Sequence, residues 1–291
     1  MSATAAAQLL REVLEQKRRK GASHVRVDPE DLYKLRRVKQ QDAARAARVR
    51  TEERQELSRM EEPEVAGEKS PLIEVGGSSR EEKIANLAAM AEEAPAPRAL
   101  GTLRGTMVFS VGDPNAQLML IGEAPGFEEE RQSEPFVGPA GQRLTKILKA
   151  MGLERSKVYI SNICKFRPAI DGGGKQGTKN RAPTKAEMDA CLPFILTEID
   201  IIRPKVIVAL GRTAAEGLGI EGSVASVRGK FHEVNGIPTM VTYHPSYILR
   251  SEQDADGGLK AKAAVWADML MVMDQAGMPI SAKQRAYFKG K

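Results

Sequence analysis

Four short apolar runs, each followed by a helical pattern, constrain this chain more than any other feature. Gln117–Ile121, Lys157–Asn162, Lys205–Leu210 and Pro238–Thr242 are rich in aliphatic and β-branched residues over strand-like lengths. Gly141–Met151, Thr184–Ile201, Thr213–Leu218 and Leu259–Met273 carry helical patterns between and after them. Such alternation builds a parallel sheet, because a parallel neighbour is reached only through a crossover, usually a helix. The expected fold is therefore α/β: a three-layer α/β/α domain around a central four-stranded parallel sheet, spanning residues 101–291. Phe109 to Gly112 adds a short flanking strand or turn.

The first hundred residues do not follow this pattern. Residues 3–20 and 29–60 read as helices, the second with few apolar positions to bury. Residues 1–60 hold 15 Lys/Arg against 9 Asp/Glu and so carry the whole net charge of +6. A basic helical extension on a neutral body suits an anionic partner such as nucleic acid, although the interspersed acids equally suit a solvated mixed-charge helix. Its partner is unknown. Residues 61–100, rich in Glu, Pro, Ala, Gly and Ser, read as a flexible linker.

Composition excludes several classes. No run has the eighteen or more apolar residues expected of a membrane helix, and Met-Ser-Ala-Thr-Ala-Ala-Ala lacks a secretory pattern. Two cysteines, Cys164 and Cys191, make no disulfide framework and no C-x-x-C pair. A cytoplasmic monomer without a membrane role is expected.

In a parallel sheet, the residues just past the carboxyl ends of the strands face one crevice. The four strand ends here carry Glu123 within Gly122-Glu123-Ala124-Pro125-Gly126, then Asn162, then Gly211-Arg212, then His244-Pro245-Ser246. Taken singly, each has a plainer explanation. A histidine after a strand often only makes a structural hydrogen bond, an asparagine caps a turn, and Glu128-Glu129-Glu130 suits the start of a solvated helix. Their recurrence at successive strand ends is the stronger signal.

The stretches 121–126, 135–141, 159–162, 180–184, 204–212, 227–229 and 244–250 together resemble the uracil-DNA glycosylase superfamily, most closely its family-four branch. They read IGEAPG, PFVGPAG, YISN, NRAPT, PKVIVALGR, VRG and HPSYILR. The resemblance covers about half the chain and leaves out residues 1–100. It implies hydrolysis of the bond between a flipped-out uracil and its deoxyribose in DNA, initiating base-excision repair. By the same resemblance, Gly122, Phe136 and Asn162 bind uracil, with Phe136 stacking on the base and Asn162 reading its polar edge. His244 donates to the departing base, Glu123 or Glu129 supports the cationic sugar and orients water, and Asn180 joins the catalytic surroundings. Arg212, Pro245, Ser246, Ile248, Leu249, Arg250, Lys175 and Lys179 are the expected DNA contacts, with Ile248 or Leu249 as a wedge in the duplex and Arg250 on phosphate.

The match departs from the family in three places. Family-four enzymes hold a four-iron, four-sulfur cluster on four cysteines, but only Cys191 matches a ligand here, and Phe166 stands at another ligand position. No metal and no cofactor are expected, with Phe166 and its neighbours filling the space. Ala169–Lys179 is an insertion holding Gly172-Gly173-Gly174 and lysines, which suits either a phosphate-contacting loop or an ordinary insertion. Ala124 stands where the best-known branch has a catalytic Asp, which shifts the weight onto Glu123 or Glu129. Two further readings remain beside uracil excision: a catalytically silent DNA-binding relative, and a glycosylase for another deaminated base such as hypoxanthine.

Overall fold

The computed structural model describes residues 72–170 and 176–288. The basic extension at 1–60 and Lys175 lie outside these residues. Among the described residues, two helices, α1 (Arg80–Glu92) and α2 (Pro95–Ala99), precede the first strand. Strand β1 (Leu103–Met107) pairs later in the chain. Strand β2 (Ser110–Gly112) leads to β3 (Leu118–Gly122), helix α3 (Phe127–Gln132), helix α4 (Pro139–Met151) and β4 (Tyr159–Asn162). After β5 (Phe166–Pro168) come α5 (Lys185–Ile202), β6 (Val206–Leu210), α6 (Arg212–Gly217) and α7 (Val224–Val227). The chain finishes with β7 (Phe231–Val234), β8 (Ile237–Thr242), α8 (Pro245–Ser251), α9 (Leu259–Gln275) and α10 (Ala282–Arg285).

The main sheet has the order β2-β4-β3-β6-β8-β7, and a separate small sheet pairs β1 with β5. Its inner four strands, β4, β3, β6 and β8, are parallel, as the alternation of strands and helices requires. Strands β2 and β7 add antiparallel edges. Both faces of the sheet are covered, so the inner strands are apolar on both sides. Met119 and Ile121 of β3 and Ile207 and Ala209 of β6 join one core with Cys191, Ile195 and Ile199 of α5. Their neighbours Leu118, Leu120, Val206 and Val208 point into the other core, against Leu144 and Leu148 of α4 and Trp266 and Met269 of α9. Within α4 the buried positions are Gly141, Leu144, Leu148 and Met151, a spacing that puts one face inward. Thr184 and Glu187 close a capping box at the start of α5.

The flexible-linker expectation fails for residues 72–100. Ser79 caps α1 by accepting a bond from the Glu82 backbone N–H. Leu87 and Ala91 are fully buried in a third cluster with Phe109 and Phe194. The composition is polar because only one narrow side of α1 is buried, and a run of Glu, Ala and Ser conceals two apolar anchors. We expect Leu87→Ala to lower the unfolding free energy by about 2–5 kcal/mol in denaturant titration. A change within error would return this segment to a linker.

Candidate functional site

A cavity of about 760 Å³ opens at the carboxyl ends of the parallel strands. Strands β3 and β6 are neighbours whose onward connections run to opposite sides, to β4 and to β8, so the chain leaves a crevice between them. The Thr213 hydroxyl at the start of α6 donates across this crevice to Glu123 Oε2 at 2.6 Å. Glu123, Glu129, Phe136, Asn162, Asn180, Arg212, His244, Ser246 and Arg250 all line the cavity.

The floor is set by strand register. Gly122 pairs directly with Asn162 across β3 and β4. A Cβ on Gly122 would lie 2.4 Å from both Asn162 Oδ1 and Phe136 Cζ, well inside contact distance. Only glycine lets the amide and the aromatic ring come together here. Asn162 is buried, and its Oδ1 has no hydrogen-bond partner among the described residues. A buried polar atom left in that state costs about 1–3 kcal/mol.

Phe136 adopts a left-handed backbone with φ 57°, a strained state for a bulky residue. Two groups hold it there. Arg155 donates to the Phe136 carbonyl at 3.0 Å and the Pro135 carbonyl at 2.8 Å. Glu129 Oε1 accepts from the backbone N–H groups of Val137 and Gly138, at 3.1 and 2.8 Å. Glu129 therefore anchors the loop that carries Phe136, while its Oε2 remains near Gly126 and Asn180.

His244 caps α8 and sits with its ring centroid 5.8 Å from that of Phe136. Its Nδ1 accepts from the Ser246 backbone N–H at 3.2 Å and lies 2.8 Å from the Ser246 hydroxyl. A backbone N–H can only donate, so Nδ1 is bare and the ring proton sits on Nε2. Burial, with help from the Arg250 charge, lowers the imidazole from its ordinary 6.5 to about 4. The ring is thus a neutral hydrogen-bond donor.

Asn180 is oriented by a residue that the sequence reading passed over. Buried Arg167 donates to Asn180 Oδ1 at 2.9 Å, to Glu130 at 2.8 Å, and to the carbonyls of Gly177 and Lys179 at 2.8 and 2.7 Å. With Oδ1 engaged, the amide nitrogen is left for the cavity. Buried Lys165, paired with Glu198, donates to Ser161 Oγ at 2.7 Å and to the Asn162 carbonyl at 2.9 Å. The sequence sets a cation on each side of Phe166, and the structure buries all four residues from Lys165 to Pro168. Such cations need partners from elsewhere in the fold.

Several expected DNA contacts stand differently. Ile248 is 2% exposed and belongs to the core, because α8 turns it inward against α9. It is not an available wedge. Pro245 is buried at the start of α8, and Leu249 is partly buried. Arg212 and Arg250 are exposed at the rim, the first bonded to Glu216 at 2.6 Å and the second 3.4 Å from Ser246 Oγ. Lys179 is exposed and does not line the cavity. Tyr243 and Tyr247 line it and were not anticipated.

The resemblance brings an iron–sulfur cluster into question, and the donor set does not fit one. A four-iron cluster takes four cysteine thiolates, and the whole sequence has two cysteines. Cys164 and Cys191 are fully buried and adjacent. The hydrogen bond with Cys191, together with burial, pushes the Cys164 thiol far above its ordinary range. Phe166 is buried beside them, and the Arg98 guanidinium lies 5.5 Å from its ring centroid.

The His244 geometry sets a pH dependence. We expect ring-nitrogen NMR to show Nε2 protonated at neutral pH and titration near pH 4. On acidification the unfolded chain takes up this proton first. The stabilisation from neutral His244 is therefore complete above about pH 6.5 and is lost as pH falls towards 4. Titration near 6.5 would contradict the assignment.

Comparison with known proteins assigns the same stretch of chain to one family. The family model "Uracil DNA glycosylase superfamily" matches residues 109–270. A type-4 uracil-DNA glycosylase of Thermotoga maritima is 40% identical over 154 residues, covering 52% of this chain and 76% of the relative. The type-4 enzyme of Archaeoglobus fulgidus is 37% identical over 163 residues, covering 51% and 77%. That of Sulfurisphaera tokodaii is 38% identical over 160 residues, covering 52% and 69%. The matched region takes in the inner parallel strands and the residues that line their crevice, and the chain belongs to the uracil-DNA glycosylase superfamily, in its type-4 branch.

Proposed function

We propose that this protein hydrolyses the N-glycosidic bond of uracil flipped out of DNA, leaving an abasic site for base-excision repair. The observation that carries the reading is the buried Asn162 Oδ1, without a partner among the described residues, in a cavity shared with Phe136 and His244. Uracil offers an N3–H donor beside its O4 acceptor. An asparagine amide complements that edge by accepting at Oδ1 and donating from Nδ2. Cytosine offers a bare N3 beside an amino group, so each half of the amide meets its like and recognition fails. The Phe136 ring stacks on the base. As the C–N bond breaks, its electron pair passes to the uracil ring, and the neutral His244 Nε2–H donates to the oxygen where charge gathers. An oriented donor of this type contributes about 2.7–4 kcal/mol.

The water has a natural place at Gly126. A Cβ there would lie 2.8 Å from Glu129 Oε2 and 3.0 Å from Asn180 Nδ2. Both groups are pinned from behind, Glu129 by the Val137 and Gly138 amides and Asn180 by Arg167. The glycine therefore leaves a small gap between a carboxylate and an amide donor. Water held in that gap attacks the sugar carbon and gives up its proton to Glu129. Glu123, held by Thr213, supports the cationic sugar. Leu249 and Arg250 are the remaining candidates for wedge and phosphate contact, and the reaction needs no iron–sulfur cluster.

The test is incubation with single- and double-stranded oligonucleotides holding uracil, hypoxanthine or thymine, followed by alkaline cleavage. Scission at uracil alone is expected. Binding without scission on every substrate would contradict an enzyme, and preferred scission at hypoxanthine would replace the substrate. We expect Glu129→Gln and His244→Ala each to lower kcat by about 100- to 1,000-fold, and Glu123→Gln by less. The purified active protein should contain no iron, whereas four irons per chain would contradict the cluster-free reading.

A further inference from the structure

Tyr243 and Tyr247 form a stacked pair at the cavity mouth, with ring centroids 4.6 Å apart and planes 24° apart. Among the described residues, five large hydrophobic side chains are exposed, and of these only Tyr247, at 41%, lines the cavity. The pair is braced from the core. The Arg228 guanidinium lies 5.4 Å from the Tyr243 ring centroid. Asp268, 1% exposed, accepts both Nε and Nη2 of Arg228, at 3.1 and 2.9 Å. A chain of contacts thus runs from a buried carboxylate through a guanidinium and one ring to an outer ring that still faces solvent. This gives a role to the Val227-Arg228-Gly229 stretch, which the uracil pocket does not use.

One pyrimidine does not need a cavity of about 760 Å³. Phe136 and His244 form one ring pair in its lining, Tyr243 and Tyr247 form a second, and the exposed cations Arg212 and Arg250 line it as well. The geometry points to a second subsite: Tyr247 stacks on the base of the nucleotide next to the flipped uracil, and Arg212 and Arg250 contact the adjoining phosphates. Tyr243 covers one face of the Tyr247 ring, which leaves the opposite face for a base. The braced ring loses little freedom on binding, so stacking adds affinity with little preference for the identity of the neighbouring base. The inference rests on the uracil reading for its register, but its test does not depend on turnover.

Fluorescence anisotropy of the full chain with labelled single-stranded oligonucleotides provides that test. In each, an unreactive tetrahydrofuran residue replaces uracil, and the base on its 5′ or 3′ side is either present or also removed. We expect removal of the neighbouring base on one side to weaken binding about tenfold, equivalent to about 1.4 kcal/mol. Tyr247→Ala should bind the intact oligonucleotide about tenfold more weakly and become indifferent to that base, while Tyr247→Phe should behave as the wild type. Equal binding by the wild type with and without either neighbour would overturn the subsite, as would undiminished discrimination by Tyr247→Ala. A protein that discriminates in this assay yet releases no uracil would retain the subsite and lose the uracil reading.

Discussion

The site depends on a side chain that is absent. Gly122 ends β3 in register with Asn162 on β4, and any Cβ there would collide with the Asn162 amide and the Phe136 ring. Because the position is bare, a flat aromatic surface and a fixed amide meet at the floor of a crevice built from sheet topology. The helices that cover both faces of the sheet make these strand ends rigid, and a rigid strand end is a more exact support than a loop.

Around that floor, three cations do the positioning, two of them, Lys165 and Arg167, buried. Arg155 holds the strained Phe136 backbone, Arg167 turns the Asn180 amide, and Lys165 fixes the Asn162 carbonyl. Each spends its donors on carbonyls or side chains whose orientation the site requires. Where type-4 relatives are expected to carry a metal cluster, this chain packs Phe166 in one buried cluster with two thiols, and the Arg98 guanidinium lies over the Phe166 ring. On the proposed reading, packing and buried ion pairs hold β5 and the start of α5 in place of iron.

Much of this was legible in the sequence, because it follows from local rules. The strand–helix alternation fixes a parallel sheet, and the parallel sheet brings Glu123, Asn162, Arg212 and His244 to one end. What was hidden depends on distant partners. Nothing local to Arg167 says that Glu130 and Asn180 await it. The Leu87 anchor in α1 is masked by a polar composition. Ile248 enters the core and Tyr247 stays exposed because His244 caps α8, and the helical rotation after that cap decides which side chain turns inward. The shared role of Glu129, as loop anchor and cavity carboxylate, likewise emerges only once the loop at 135–138 is folded back on it.

On the proposed function everything turns on the Asn162 amide, which reads the polar edge of uracil from the floor of the cavity. Its most direct test is NMR observation of the Asn162 side-chain NH₂ while the intact protein is titrated with free uracil and then free cytosine. A saturable shift with uracil and none with cytosine is the predicted result. Equal shifts with both bases, or none with either while other cavity residues respond, would contradict it.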